Sequence, residues 1–210
     1  MAGSVFVSVG MSIDGFMAPA LPGDDPNPAR TEHWMELHRW VFQQRFFREN
    51  LHLGEGGETG ADNAILEATF ARTGASIMGK RMFEAGEQGW PEEAPFHTAV
   101  FVLTHEPREP WERPGGTTFH FVNDGIESAL QQAREAAGER DVRIAGGGET
   151  IVQYLNAGLV DECSIALAPM VMGAGIRLFE GVDADRVRLE PAEVVDSALV
   201  THLRYRVTTA

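Results

Sequence analysis

The residues best suited to chemistry in this 210-residue chain lie in short stretches where an apolar, strand-like run gives out. In Gly146-Gly147-Gly148-Glu149-Thr150 a strand passes into a helix. Glycines let backbone amides approach a ligand, and a helix N-terminus carries partial positive charge, so such a turn suits a phosphate. It is not the spaced G-x-G-x-x-G dinucleotide signature, and a tight turn without ligand is the plain alternative. In the second stretch Gly79 closes a strand and Lys80 and Arg81 open a helix. Cations there oppose the helix dipole unless an anion lies between them, which favours a ligand over a solvated basic pair. In the third, Thr104, His105 and Arg108 follow the run Val102-Leu103. Ligands in open α/β sheets bind at strand C-termini. With Lys80 and Arg81 these residues suit a ribose 2′-phosphate; for His105 the alternative is an ordinary surface loop. In the fourth, Ser12-Ile13-Asp14-Gly15 follows the first strand. Asp14 is either a carboxylate that positions substrate or handles a proton, or a turn-forming Asp.

Elements that would position these residues are legible around them. Strands are expected at 4–10, 75–79, 99–104, 117–122 and 142–145, from alternating or short apolar runs. Helices are expected at 33–53, with Thr31 as a cap, and at 61–72, 80–85, 126–137 and 149–157. Asn123 or Asp124 is a candidate cap for the helix at 126–137, and Gly138 a stop. Residues 19–28 read as a loop and 53–60 as a flexible break. The end of the chain reads as β only, at 162–172, 187–195 and 199–207; Pro169 inside the first of these suggests an edge or a bulge. Alternating strands and helices predict an α/β fold with a mostly parallel sheet covered on both faces, and the closing strands predict an antiparallel edge.

Whole-chain properties narrow the function. With 43% hydrophobic and 23% charged residues the chain reads as one soluble domain, 1–210, with an inserted helical segment at about 30–60. The net charge of −14 opposes general affinity for nucleic acid or anionic membrane. Cys163 is the single cysteine, so no internal disulfide is expected. There is no basic region before an apolar one at the N-terminus and no run long enough to span a bilayer, so a cytoplasmic location is expected. No metal site is expected.

Taken in order, S-I-D-G at 12–15, I-M-G-K-R-M-F-E at 77–84, V-L-T-H at 102–105, A-G-G-G-E-T at 145–150 and D-E-C-S-I-A-L-A-P-M-V-M-G-A-G-I-R-L-F at 161–179 resemble the dihydrofolate reductase-like family. The resemblance is to its riboflavin-biosynthesis reductase branch, the RibD C-terminal domain. It implies a three-layer α/β/α fold with an antiparallel C-terminal hairpin, and NADPH as hydride donor to a C=N or C=O of a small pterin-like or riboflavin-precursor-like substrate. Gly146, Gly147, Gly148, Glu149 and Thr150 would lie by the pyrophosphate. Gly79, Lys80, Arg81 and Thr104, helped by His105 and Arg108, would lie by the 2′-phosphate. The loop holding Asp14 would cover the nicotinamide and substrate. Asp62 falls near the carboxylate with which dihydrofolate reductases grip the pterin; the alternative is helix capping. A homodimer is expected, since related reductases often pair through the C-terminal strands. The chain departs from the family at 30–60, where Trp34, Trp40, Phe42, Phe46 and Phe47 enlarge a connection that borders the substrate side. A dihydrofolate reductase proper and a nucleotide-binding module without catalysis are the rival readings.

Overall fold

The computed structural model describes residues 3–19 and 31–210. Apart from Pro19, the expected loop at 19–28 lies outside them. In chain order the elements are β1 (Val5–Ser12), β2 (Phe16–Pro19), α1 (Glu32–Gln43), α2 (Arg45–Asn50), α3 (Ala61–Arg72), β3 (Thr73–Gly79), α4 (Lys80–Glu87), β4 (Ala99–Leu103) and β5 (Trp111–Glu112). There follow β6 (Thr118–Val122), α5 (Ile126–Ala137), β7 (Asp141–Gly146), α6 (Gly148–Asn156), β8 (Glu162–Ala168), β9 (Gly175–Arg177), β10 (Val187–Asp196) and β11 (Thr201–Thr209).

Nine strands form one sheet in the order β10-β11-β8-β1-β7-β3-β4-β6-β5. The run β8-β1-β7-β3-β4-β6 is parallel throughout. At one edge β11 runs antiparallel to β8 and pairs with β10; at the other, the two-residue β5 runs antiparallel to β6. The mostly parallel sheet and the antiparallel closing hairpin are those expected. One face buries Val5, Val7, Ile77, Ile144, Cys163 and Ile165 against α5 and α6. The other packs Leu37 and Trp40 of α1 and Leu66 of α3 onto Ala166 and Ala168. No helix among the described residues is long and apolar enough to cross a membrane.

The helices follow their stripes. In α5, Ala129, Leu130, Ala133 and Ala137 are buried at one-turn spacing. Gly138 stops the helix with a φ of 64°, but Gly125 precedes its first turn without a side-chain cap, so Asn123 and Asp124 do not cap it. Thr31 does cap α1, its Oγ1 accepting the Trp34 amide at 3.2 Å.

Three differences from the sequence reading have local causes. The expected helix at 33–53 is broken at Gln44, which is extended. There the Arg45 amide donates to the Glu58 carbonyl at 2.9 Å and the Glu58 amide to Gln43 at 2.8 Å, so bonds to a distant segment replace helical ones. The strand expected to reach 172 ends at Ala168, because Pro169 has no N–H to continue the ladder. The two-stranded antiparallel sheet β2–β9 was not expected: strands of four and three residues are too short to show a period.

Tyr154 is fully buried on α6 and its hydroxyl donates to the Ile126 carbonyl at the start of α5, 2.7 Å away. Tyr154→Phe removes this bond between the two helices, and urea denaturation should show a loss of about 1 kcal/mol with the slope unchanged.

Candidate active site at the C-terminal edge of the sheet

Parallel strands all end on one side, so the loops after β1, β3, β4 and β7 share an edge. Two helices begin there next to each other. Gly79 precedes α4 and Gly147 precedes α6, neither with a side-chain cap, which leaves the first-turn amides of both without side-chain partners. The two N-termini touch: a Cβ on Gly79 would lie 2.5 Å from Thr150 Oγ1 and 3.9 Å from the Gly147 amide. A Cβ on Gly146 would come within 2.8 Å of Met82 Sδ, and φ there is +140°, a region that favours glycine. A Cβ on Gly148 would meet Ile176 of β9 at 2.8 Å, whereas one on Gly147 would meet nothing within 4 Å. Glycine is thus required on both sides of Gly147, while Gly147 itself faces open space.

The expected cations border this pair of helix ends, each held by a carboxylate. Lys80 Nζ donates to Glu106 Oε1 at 2.7 Å and lies 3.5 Å from Glu84 Oε1. The hydrogen bond to Glu106 raises the Lys80 pKa above the usual lysine value. Arg81 Nη1 reaches Glu149 Oε1 at 3.3 Å and so links the two helices. Thr104 follows β4, its Oγ1 accepting the Glu106 amide at 3.1 Å, and His105 beside it is exposed. Arg108 bonds Glu87 at 2.7 Å and lies over the rings of Phe83, Trp111 and Phe121, so its planar group is turned toward aromatic surface. The structure brings Gly79, Lys80, Arg81, Glu149 and Thr150 into direct contact with one another or one another's partners; Arg108 stands farther along α4.

Asp14 lies in the turn after β1 and is tied on both oxygens. Oδ1 accepts Ser12 Oγ at 2.6 Å and the Met172 amide at 3.0 Å; Oδ2 accepts the Gly173 amide at 2.7 Å. These bonds, the Met172 amide foremost and Ser12 next, lower its pKa to about 2. A carboxylate ionised at that pH has no proton to donate near neutrality. What it does is clasp the turn at 12–15 to the segment that carries β9. Arg177 completes the clasp, donating to the Asp14 carbonyl at 3.1 Å and lying 4.3 Å over the Phe16 ring. Met17 of β2 then lies close to Gly146 and Gly148, so the β2–β9 pair forms one wall beside the glycine turn.

Asp62 stands in the first turn of α3, buried, and its Oδ1 is 2.6 Å from His202 Nε2 on β11. Trp40 of α1 meets the His202 ring edge-on at 5.0 Å. Asp62 is therefore neither a cap nor exposed; its carboxylate is engaged by an imidazole that the sequence gave no reason to single out. The sequence assigns no role to Arg177 or His202, because each gains its role from a partner far away in the chain. Among the described residues no group of three or more His, Cys, Asp or Glu is arranged to hold a metal ion.

Two outcomes follow from these bonds. Asp14→Asn should lower the thermal midpoint at pH 7. Since the native pKa is depressed, the stabilisation is full above the ordinary Asp value and is lost as pH falls toward 2; the gap between variant and wild type should close over that interval. Asp62→Ala leaves His202 buried without its partner and should cost about 1–3 kcal/mol, with part of the loss recovered in the double variant with His202→Phe.

Comparison with known proteins places this architecture. A protein assigned to riboflavin biosynthesis from Shewanella sp. PV-4 superposes with a TM-score of 0.63 at 19% identity, over 99% of each chain. A pyrimidine reductase-like protein from Corynebacterium diphtheriae gives 0.56 at 13% identity over 98% of this chain and 92% of that one. The dihydrofolate reductase of Enterococcus faecalis, solved with NADP(H), gives 0.53 at 13% identity over 100% and 98%. Segments of two Bacillus subtilis proteins also match: YyaP at 36% identity over 59 residues, 28% of this chain, and YwjB at 29% over 83 residues, 39% of this chain. The matches span 31% and 47% of those two proteins, less than half of either. The profile of the RibD C-terminal domain covers residues 4–202, nearly the full length, and this chain belongs to the RibD C-terminal domain family.

Proposed function

We propose that this protein is an NADPH-dependent reductase that transfers hydride to a C=N or C=O carbon of a small heterocyclic substrate of the pterin or riboflavin-precursor kind. The observation that carries the reading is the pair of uncapped helix N-termini in contact, with Lys80 and Arg81 beside them. Two positive dipole ends and two cations in an acidic chain suit a polyanion, and the open side of Gly147 fits the close approach of a pyrophosphate. Membership of the family and the likeness to a reductase solved with NADP(H) support the same cofactor.

When bound, the cofactor supplies the hydride, from the nicotinamide ring. The chain does the rest. The amides of Gly147, Gly148, Glu149 and Thr150 hold the pyrophosphate, and Gly146 and Gly79 keep the approach clear. Lys80, Arg81 and Thr104, with His105 beside them, take the 2′-phosphate, while Arg108 stays with Glu87 and the aromatic rings. Lys80 then exchanges Glu106 for phosphate; both groups are accessible to solvent, so that ion pair is weak and yields readily. Asp14 acts as a positioning carboxylate, fixing the β2–β9 pair that walls the site, while an ordered water or another group delivers the proton. The enlarged connection at 30–60 weighs against a dihydrofolate reductase proper, and Asp62, the residue expected near the pterin-binding carboxylate, is engaged by His202.

Titration of NADPH against intrinsic tryptophan fluorescence tests the reading, and absence of binding would end it. Binding without NADPH oxidation across pterins, flavin precursors and simple carbonyls would favour a non-catalytic nucleotide-binding protein. Lys80→Ala combined with Arg81→Ala should weaken NADPH about tenfold or more, the equivalent of about 1.4 kcal/mol, and NADH much less. Equal loss for both cofactors would remove these side chains from the 2′-phosphate.

A further inference from the structure

Lys80 stands where two strand ends meet, and an acid stands with it. Gly79 of β3 and Leu103 of β4 are register partners, so Lys80 and Thr104 each come one residue past the same rung of the sheet. Thr104 is fixed there by its amide, which donates to the Val122 carbonyl at 3.0 Å. Its Oγ1 accepts the Glu106 amide at 3.1 Å, which turns the loop and holds Glu106 beside the start of α4. Glu106 Oε1 then accepts from the Lys80 ammonium at 2.7 Å. Glu84 lies 3.5 Å from the same ammonium, and Glu149 lies 3.3 Å from Arg81. The two cations suited to a 2′-phosphate thus face three carboxylates.

Glu106 differs from the other two acids in its origin. Glu84 follows Lys80 by one turn of the same helix, an ordinary surface pairing, and Glu149 is exposed at the start of α6. Glu106 reaches α4 from the loop after β4, the loop that also carries Thr104. The Lys80 ammonium holds the Glu106 carboxyl below its usual pKa, so it is ionised at neutral pH. A phosphate monoester carries close to two negative charges there. To reach Lys80 Nζ a 2′-phosphate must displace Glu106, and the freed carboxylate then remains near a like charge. The exposed pair is weak, so this competition changes affinity severalfold rather than forbidding the phosphate. An unphosphorylated ribose brings a neutral hydroxyl instead. A carboxylate only accepts, and its second oxygen takes that O–H while the first keeps Lys80. Acidic side chains recognise the 2′-hydroxyl of NAD in doubly wound folds, and basic ones the 2′-phosphate of NADP. Here one of each kind occupies the same place.

We propose that Glu106 sets the choice of cofactor: it competes with the 2′-phosphate of NADPH for Lys80 and accepts the ribose 2′-hydroxyl of NADH, so that the protein takes NADH as a second hydride donor. This rests on the reductase reading and widens its cofactor range. The loop after β4 therefore carries both a group that welcomes the phosphate, Thr104, and one that opposes it.

Tryptophan-fluorescence titrations of wild type, Glu106→Ala and Glu106→Gln with NADPH and NADH test this, with calorimetry of adenosine 2′,5′-bisphosphate reporting the phosphorylated ribose alone. The wild-type Kd values for the two cofactors should lie within about tenfold of each other. Glu106→Ala should bind NADPH and the bisphosphate about threefold tighter and NADH about threefold weaker, a change in preference of about tenfold, or about 1.4 kcal/mol. Glu106→Gln, which loses the charge but keeps an acceptor, should gain the same NADPH affinity with a smaller loss of NADH. Glu106 is exposed, so neither variant disturbs the core. Any pattern in Glu106→Ala other than movement of the two cofactors in opposite directions makes the acid a solvated surface group and overturns the proposal. A wild type that binds NADPH but not NADH overturns it too, and leaves the reductase reading standing. A wild type that binds neither cofactor ends both.

Discussion

Six neighbouring strands run the same way, so everything that follows their C-terminal ends is forced onto one edge of the molecule. This constraint assembles the site. The glycines after β7 and the cations after β3 are separated by more than sixty residues, yet Arg81 and Glu149 share a hydrogen bond because β3 and β7 are neighbours in the sheet. Neither segment needs to know about the other in sequence; the register between their strands sets the meeting.

Electrostatics then refine what topology supplies. In a chain of net charge −14, Lys80, Arg81 and Arg108 are each held by a carboxylate, and the backbone contributes its own positive ends where α4 and α6 begin uncapped. Asp14 works in the opposite sense. It gathers two amides and a hydroxyl, and by doing so it joins a turn near the start of the chain to a segment some 160 residues later. The motifs S-I-D-G and M-V-M-G-A-G-I-R are two halves of one clasp, which explains why both belong to the same sequence pattern.

Much of this was legible beforehand, for identifiable reasons. Strands and helices with full periods, such as α3, α5 and β4, were placed to within a residue or two because one face of each is buried. The convergence of Gly79, Lys80, Arg81 and the triple glycine followed from reading each as the end of a parallel strand. What escaped detection depends on partners remote in sequence. Gln44 leaves its helix for Glu58; β2 exists because β9 does; His202 matters because Asp62 faces it. Asp14 was found by position, but its chemistry was not, since the amides of Met172 and Gly173 that hold it ionised carry no side-chain signature.

The bridge between Gln44 and Glu58 also bears on how such a chain changes over time. The two ends of the intervening stretch meet in backbone hydrogen bonds, so the chain path of residues 45–57 begins and ends at one place, while Phe46, Phe47, Asn50 and His52 tie it to α3 and to residues 93–95. A stretch anchored in this way behaves as a cassette: it could be shortened, lengthened or swapped at modest entropic cost while the strands keep their register. Relatives that share this sheet are therefore free to differ in what they place over it, and new specificities can arise by exchange of a roof above an unchanged floor.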